Sequence, residues 1–370
     1  MKKLVSLMLA LVMVLSVAAL ASAEDLSVAM ITDYGDITDQ SFNQTTYEAA
    51  KAWSEANGVN FQYFKPASDS DEDRITSIEK AINDGFNVLV MPGYAFAPAI
   101  VGTVEEYPDV TFVALDVSEW DLQDAHGTSA DFSWVYPANL YSAVYQEELC
   151  GYMAGYAAVK LGYKKLGFLG GMAVPAVIRY GYGFVQGADA AAAELGLTDV
   201  EVKYVYGNQF YGDADITAYM DTWYTNGTEI VFACGGGIFT SAGEAAAKVG
   251  AKVIGVDVDQ AATIDGLYGE GITVTSAMKG LAPTVDATLT AIKSGAFEGG
   301  KVETLGLVGN DPAANYVQIA GSTQFADGFT ADDYAALVAK MFSGEITVSS
   351  AIDAEPAVTA VAVDYQGNIK

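Results

Sequence analysis

The stretch that decides the fold lies near the start of the chain, where residues 26–44 read LSVAMITDYGDITDQSFNQ. Its first part is a short apolar run that ends at Asp33, as is typical of a buried strand in a parallel sheet. Ser41 and Gln44 then have the S-x-x-Q spacing of a capping box, which predicts that a helix begins there. A strand, a polar turn and a helix in this order form the first part of a βα unit.

The same alternation of apolar runs and helical patterns continues along the chain and restarts after Pro137. Two sets of βα units without a Pro/Ser-rich tether predict an α/β fold of two Rossmann-like lobes with a ligand cleft between them. We assign residues 24–132 and 278–304 to the first lobe, and residues 133–277 and 305–370 to the second. A long helix is predicted over residues 139–161. Strands are predicted near 304–308 and 317–319, and a helix near 331–342.

The first 23 residues have the three parts of a secretory signal peptide: two lysines, an apolar run over residues 4–20, and Ala-Ser-Ala at 21–23. A retained membrane anchor is the alternative, but the run is short for a membrane span. No cysteine occurs before Cys150, so no lipobox cysteine is seen. We therefore expect an exported protein, periplasmic or at the cell surface.

Composition excludes several classes of function. The chain has 18 Lys+Arg against 47 Asp+Glu, a formal charge of −29, which disfavours nucleic acid as a partner. One histidine and two cysteines are too few for a zinc cluster or a disulfide framework, and we expect Cys150 and Cys234 to be buried thiols rather than a disulfide. Residues 69–73 match a calcium loop only in part, because Arg74 and Lys80 stand where glycine and glutamate are needed. No metal and no cofactor are expected.

The candidate site lies at the ends of the predicted strands, because ligands of open parallel sheets bind beyond the carboxyl ends of the strands. These ends carry acidic residues or glycines: Asp33, Gly93, Asp116, Gly170, Gly171, Gly235, Gly236, Gly237 and Asp257. The polar loop after Asp33 places Phe42 and Asn43 in the first turn of the helix. An aromatic face beside an amide donor and acceptor suits a flat heterocycle. From spacing alone, the favoured interpretation is that Phe42 is the first core residue of an apolar helical stripe.

The pattern D-x-G-x-x-x-D-x-S-F-N-Q at residues 33–44 resembles the basic membrane protein family, also called the purine-nucleoside receptor family. Three more stretches occur in the family's order: GFLGGM at 167–172 with Pro175 downstream, VIGVDVDQ at 253–260, and TSAMK at 275–279. The resemblance covers about residues 28–321. It implies the type I periplasmic-binding-protein fold and the substrate-binding component of an ABC importer. Such a protein is not an enzyme.

The resemblance also implies roles at the base end of a nucleoside, with a purine the expected base. Phe42 would stack on the base and Asn43 would read its edge. Asp116 would accept a hydrogen bond from it. Phe210 is the proposed second aromatic residue, contributed by the other lobe.

At the sugar end, the resemblance implies that Asp257 and Lys279 hold the ribose hydroxyls, together with the backbone around Gly236. Carboxylates accept from vicinal hydroxyls, an ammonium donates to them, and glycines allow the backbone to approach closely. Asp33 would shape the loop or touch the ligand. The lobes would close on the ligand and the closed protein, expected to be a monomer, would dock on a membrane permease.

Three alternatives remain open. The same fold could bind another heterocycle, such as a flavin-like ring, or a sugar. A secreted hydrolase acting on nucleosides or glycans could use Asp257 and Asp259 as an acid/base pair, although their i, i+2 spacing gives no sign of the separation such a pair needs. A sensory or adhesion protein could bind ligand without serving an importer. Tyr180 stands where the family more often has an aliphatic residue or phenylalanine, which leaves the exact ligand open.

Overall fold

A computed structural model describes residues 26–369, and the predicted signal peptide lies outside that range. The strands are, in chain order, β1 (Ser27–Ile31), β2 (Asn60–Phe64), β3 (Val88–Pro92), β4 (Thr111–Leu115), β5 (Leu140–Tyr145), β6 (Lys165–Gly170), β7 (Val200–Tyr206), β8 (Ile230–Cys234), β9 (Lys252–Asp257), β10 (Thr273–Lys279), β11 (Lys301–Leu305), β12 (Val317–Ile319) and β13 (Val361–Asn368). The helices are α1 (Phe42–Asn57), α2 (Asp71–Asn83), α3 (Ala97–Thr103), α4 (Glu119–His126), α5 (Glu147–Lys160), α6 (Pro175–Leu195), α7 (Ala214–Thr225), α8 (Phe239–Val249), α9 (Ala261–Tyr268), α10 (Leu281–Ser294) and α11 (Ala331–Phe342).

These strands form two sheets, which confirms the predicted α/β class. The first has six parallel strands in the order β11-β5-β4-β3-β1-β2. The second has seven in the order β12-β10-β9-β8-β6-β7-β13, and only β12 runs antiparallel to its neighbour. Central strands such as β1, β3 and β8 are buried along their whole length, because helices cover both faces of a parallel sheet. Their continuous apolar sequences follow from that burial.

The helix predicted over residues 139–161 is wrong in its first third. Residues Leu140–Tyr145 form β5, which pairs in parallel with β4, and the helix α5 begins only at Glu147. A short apolar segment fits a buried strand and a buried helix equally well. The chain therefore leaves the first sheet after Tyr145 rather than after residue 132, where the sequence-based boundary was drawn.

Three crossings connect the lobes, and they meet beside one another. The chain passes from β5 into α5, returns from β10 into α10, and crosses again between β11 and β12. Helix α10 packs against α1, where Trp53 Nε1 donates a hydrogen bond to Thr290 Oγ1 (2.9 Å). Strands β5 and β10 end at these crossings, and β4 and β9 pair with them. The ends of all four strands therefore lie close to the crossings.

The C-terminal part completes the second lobe. Strand β12 and helix α11 have the predicted bounds, whereas the strand predicted near 304–308 is β11 at Lys301–Leu305. Strand β13 extends the second sheet along β7 and was not predicted. Cys150 and Cys234 are buried free thiols, as predicted. Within residues 26–369, every helix is too short or too polar to cross a membrane.

Candidate ligand-binding site

A cavity of about 760 Å³ lies between the two lobes, at the carboxyl ends of the strands of both sheets. This size falls within the usual range for small-molecule sites. Both lobes contribute to its walls. All eight residues proposed as ligand-binding from the sequence line it: Asp33, Phe42, Asn43, Asp116, Phe210, Gly236, Asp257 and Lys279.

Two aspartates occupy corresponding places in the two sheets. Asp116 directly follows β4, and Asp257 ends β9. Both have left-handed backbones, with φ of +62° for Asp116 and +65° for Asp257. This conformation is uncommon outside glycine, although aspartate adopts it more readily than most residues. Because each strand turns sharply at its aspartate, the carboxylate faces the cleft instead of the neighbouring helix.

Lys279, at the end of β10, lies between these two carboxylates. Its ammonium pairs with the Asp116 carboxylate and lies 3.9 Å from Asp257 Oδ1 and 3.5 Å from Glu147 Oε1. Burial disfavours the charge, but the three carboxylates together raise the pKa of Lys279 well above its ordinary value. Lys279 is therefore a cation in the folded protein.

The same ammonium lies 4.7 Å from the centre of the Phe42 ring, within cation–π distance. Burial raises the pKa of Asp116 above its ordinary value, and the charge of Lys279 reverses this only in part. Asp116 Oδ1 is buried and has no hydrogen-bond partner. The site thus holds one carboxylate oxygen that a ligand donor could satisfy.

Asp257 also joins the two lobes directly. Its Oδ2 accepts a hydrogen bond from Ser41 Oγ of the first lobe (2.6 Å), and its Oδ1 accepts one from Tyr180 OH (3.3 Å). A second bond across the cleft runs from Gln260 Nε2 to the backbone oxygen of Gln40 (2.9 Å). The described structure therefore has the two walls in contact beside the cavity.

The predicted capping box at Ser41 and Gln44 is not formed, because Ser41 makes no side-chain cap. Asp39 takes its place: its carboxylate accepts from the backbone N–H groups of Ser41 (2.9 Å), Asn43 (2.9 Å) and Gln44 (3.0 Å). Two charged oxygens can satisfy more of the free N–H groups at a helix start than one hydroxyl can. This leaves the Ser41 hydroxyl free to reach Asp257.

Asn43 is held by the same carboxylate, since its Nδ2 donates to Asp39 Oδ2 (3.1 Å). Its Oδ1 is buried and unpartnered. Gly35 leaves the room for this arrangement, because a Cβ there would lie 2.2 Å from Asn43 Nδ2. The sequence suggested an amide that offers donor and acceptor equally, but the free atom in the structure is the acceptor.

Half-buried aromatic rings line the cavity from both lobes, among them Phe42 from the first lobe and Phe210 from the second. Phe42 packs against the core and also borders the cavity, so both interpretations of its position hold in part. Phe210 lies on bare backbone, since a Cβ at Gly171 would come within 2.4 Å of its ring. Its carbonyl accepts from the N–H of Gly237 (2.8 Å), which fixes the glycine loop that contains Gly236.

Asp33 shapes the first wall of the cavity. Its Oδ1 accepts from the backbone N–H groups of Tyr34 (2.7 Å) and Gly35 (3.1 Å), which forms an Asx turn at the strand end. Burial raises the pKa of this carboxyl group above its ordinary value. The side chain lies over Gly93, where a Cβ would be 2.2 Å from Asp33 Oδ2.

Sequence reasoning missed several residues of the cavity and its surroundings, namely Tyr34, Tyr94, Glu147 and Arg179. Arg179 lines the cavity and its Nε donates to the buried Glu147 (2.7 Å). A signal existed, because Arg179 is one of only two arginines in the sequence and stands in an apolar helix. Tyr94 could have been found because it follows the strand-end Gly93.

Two alternatives find no support in the geometry. Asp259 is exposed, bonds to Ser322 (2.6 Å) and does not line the cavity, so it forms no acid/base pair with Asp257. In the calcium-loop candidate, Asp69 and Asp71 pair with Arg74 beside the start of α2. Across residues 26–369 there is no cluster of three or more histidine, cysteine or acidic side chains able to hold a metal ion.

The fold resembles that of two solved solute-binding proteins of ABC transporters. One from Conexibacter woesei matches with a TM-score of 0.67 at 23% identity, covering 88% of this chain and 99% of that chain. One from Aeropyrum pernix K1 matches with a TM-score of 0.66 at 20% identity, covering 88% of this chain and 87% of that chain. Two parallel-sheet lobes around a shared cleft define the type I periplasmic-binding class of protein.

Sequence comparisons identify the family. The family model described as ABC transporter substrate-binding protein PnrA-like matches residues 26–311. The nucleoside-binding protein BmpA of Lactococcus lactis is 29% identical over 301 residues, 76% of this chain and 79% of that protein. Basic membrane protein B of Borreliella burgdorferi is 26% identical over 295 residues, 78% of this chain and 80% of that protein. The chain belongs to the PnrA-like family of ABC transporter substrate-binding proteins.

Membership has direct consequences. Proteins of this family are solute-binding proteins and not enzymes, so the hydrolase interpretation is excluded. They act outside the cytoplasm, bind a small molecule and serve a membrane permease.

Proposed function

We propose that the protein captures a purine nucleoside between its lobes outside the cytoplasmic membrane and delivers it, as a monomer, to its permease. The observation that carries this proposal is that one cavity combines aromatic rings and unpartnered acceptor oxygens with a lysine held among carboxylates. A nucleoside likewise combines a flat base with a hydroxyl-rich sugar.

At the base end, Phe42 and Phe210 supply aromatic faces from opposite lobes. Stacking on an aromatic side chain contributes about 1–3 kcal/mol per base. Asn43 Oδ1 and Asp116 Oδ1 are unpartnered acceptors, so they suit the N–H donors on the edge of a purine.

At the sugar end, Asp257 and Lys279 provide an acceptor and a donor within 3.9 Å of each other. Vicinal hydroxyls both donate and accept, so they can bond to both groups at once. Closure follows from the same geometry, because Asp257 already bonds to Ser41 of the opposite lobe. The name of the Lactococcus lactis relative, a nucleoside-binding protein, agrees with this assignment.

The test is calorimetric titration of the mature protein, unfolded and refolded to remove any ligand carried through purification. Adenosine, guanosine, inosine, uridine and riboflavin form the panel, and light scattering gives the oligomeric state. We expect saturable one-to-one heat with at least one purine nucleoside. The absence of binding heat with all three purine nucleosides would contradict the proposal. Binding heat with riboflavin alone would indicate a flavin-like ligand instead.

A matched pair of variants tests whether the measured binding takes place in this cavity. Asp257→Asn changes a carboxylate that lines the cavity, whereas Asp259→Asn changes an exposed carboxylate two residues later that does not. We expect a loss of affinity with the first variant and wild-type affinity with the second. Equal behaviour of the two would place the nucleoside elsewhere on the protein.

A further inference from the structure

Glu147 is a fully buried carboxylate at the point where the chain first crosses between the lobes. It begins α5, two residues after the end of β5. Its side chain has no exposed surface, and it does not line the cavity. A buried carboxylate in a low-dielectric interior needs charged partners, because its desolvation is otherwise too costly.

Glu147 has two such partners, and both of them line the cavity. Its Oε2 accepts from Arg179 Nε (2.7 Å), and its Oε1 lies 3.5 Å from Lys279 Nζ. The two oxygens of one carboxylate therefore hold two cations that come from different elements, α6 and β10. Glu147 is the residue that links them.

The position of Lys279 matters for more than one contact. Its ammonium lies beside Asp116 and Asp257 and 4.7 Å from the centre of the Phe42 ring. The ammonium already pairs with Asp116 of the first lobe. The Glu147 carboxylate contacts it from the buried side and holds it within 3.9 Å of Asp257 of the second lobe as well.

We propose that Glu147 is a positioning residue for the binding site: it orients Lys279 and Arg179 toward the cavity without touching the ligand. The inference rests on the proposed function for the nature of the ligand, but not for the geometry of the two cations. The competing explanation is that Glu147 only stabilises the start of α5.

The chain contains a control for that explanation. Glu148 is the next residue of the same helix, is also buried (4% exposed), and forms no salt bridge or side-chain hydrogen bond with Lys279 or Arg179. A purely structural requirement for acids at this helix start would affect both positions. A positioning role affects Glu147 alone.

The experiment compares Glu147→Gln with Glu148→Gln in titrations with the nucleoside that binds wild-type protein most tightly. We expect Glu147→Gln to weaken binding about tenfold and Glu148→Gln to change it less than twofold. Glu147→Asp, which keeps the charge, should recover part of the loss. Circular dichroism and thermal unfolding confirm that each variant is folded at the temperature of titration.

Double-mutant cycles with Lys279→Met and Arg179→Met then show whether Glu147 acts through these cations. We expect Glu147→Gln to cost clearly less in at least one of these backgrounds than in wild-type protein. Additive losses in both cycles, or equal losses for Glu147→Gln and Glu148→Gln, would overturn the proposal.

A measurement without ligand separates this proposal from the proposed function. The side-chain nitrogen signal of Lys279 is followed by NMR in lysine-labelled protein and assigned by its loss in Lys279→Met. We expect Glu147→Gln to shift this signal and Glu148→Gln to leave it in place. An unmoved signal in Glu147→Gln overturns the positioning role, whereas wild-type protein that binds no nucleoside overturns only the proposed function.

Discussion

The two walls of the cleft share a backbone plan but use it differently. Asp116 directly follows β4 and Asp257 ends β9, and both aspartates have left-handed backbones. Strands β3 and β8 are both followed by a glycine with positive φ, +127° at Gly93 and +144° at Gly235. Glycine is needed at such angles because a side chain would be strained there.

The difference lies in what covers these glycines. In the first lobe the side chain of Asp33 lies over Gly93, whereas in the second lobe Phe210 and the backbone of Gly171 lie over Gly235. The first wall thus presents polar side-chain atoms, including the free oxygen of Asn43. The second presents a ring on bare backbone. One fold plan, used twice, yields two chemically unlike surfaces on the two sides of one cleft.

Helix α5 joins the two walls of the cleft, and it must be stable at the pH of ligand binding. Burial raises the pKa of Glu148 to about 7, from an ordinary value of 4.5. The folded protein then binds a proton more tightly than the unfolded chain. The contribution of Glu148 to the free energy of unfolding should therefore fall by about 3 kcal/mol as pH rises from 4.5 to above 7.

Glu148→Gln removes this titration. Urea unfolding at several pH values should show a flatter pH profile for the variant, which is then the more stable protein at pH 8. Parallel profiles for the two proteins would mean that Glu148 is solvated in solution. The helix would then be looser than the structure indicates.

The two aspartates should differ in which part of the ligand they bind. Asp257→Asn should weaken binding of a purine riboside by about thirtyfold and of the free base much less, because charge-assisted hydrogen bonds contribute about 2 kcal/mol. Asp116→Asn should weaken both ligands to the same degree. Titration of each variant with both ligands checks this, and the same pattern in both variants would erase the distinction between the walls.

The aromatic rings of the two walls should each contribute to nucleoside affinity. Phe42→Ala and Phe210→Ala should each lower nucleoside affinity about tenfold, since each removes a stacking surface. Phe42→Leu is the control for Phe42, because it keeps apolar volume against the core but not the flat ring. If Phe42→Leu binds as tightly as wild-type protein, Phe42 serves the core and only the second wall supplies a ring.

The smallest effect is expected at the contact between the walls. Ser41→Ala removes the 2.6 Å hydrogen bond to Asp257, worth about 1 kcal/mol, and should weaken binding about fivefold. The loss should appear as faster dissociation, because the bond helps to keep the lobes together. Stopped-flow measurements test this, and a change confined to the association rate would contradict it.

Much of the fold could be predicted because its strands are buried on both faces and form continuous apolar runs. Strand β12 and helix α11 have the predicted bounds. Strand β5 was missed because the apolar helix α5 begins two residues after it, and the two segments together were read as one helix. Strand β13 was missed because it is a half-exposed edge strand that contains Asp364 and Gln366.

The site was predictable where topology decides it, at strand ends such as Asp116 and Asp257. It was not predictable where side chains compete for the same partner. The S-x-x-Q pattern is real, but Asp39 outcompetes Ser41 for the backbone N–H groups. Glu147 and Arg179 were missed because a charged residue in a sequence carries no sign that its partner is buried beside it.

The tight packing of α5 on α6 has a consequence for how the chain can evolve. A Cβ at Gly155 or Gly187 would lie 2.0 Å from a backbone oxygen of the opposing helix. Neither position can accept even alanine unless the helices move apart. Substitutions that accumulate as ligands change should therefore spare this helix pair, and its glycine spacing should persist between distant relatives after the residues lining the cleft have diverged.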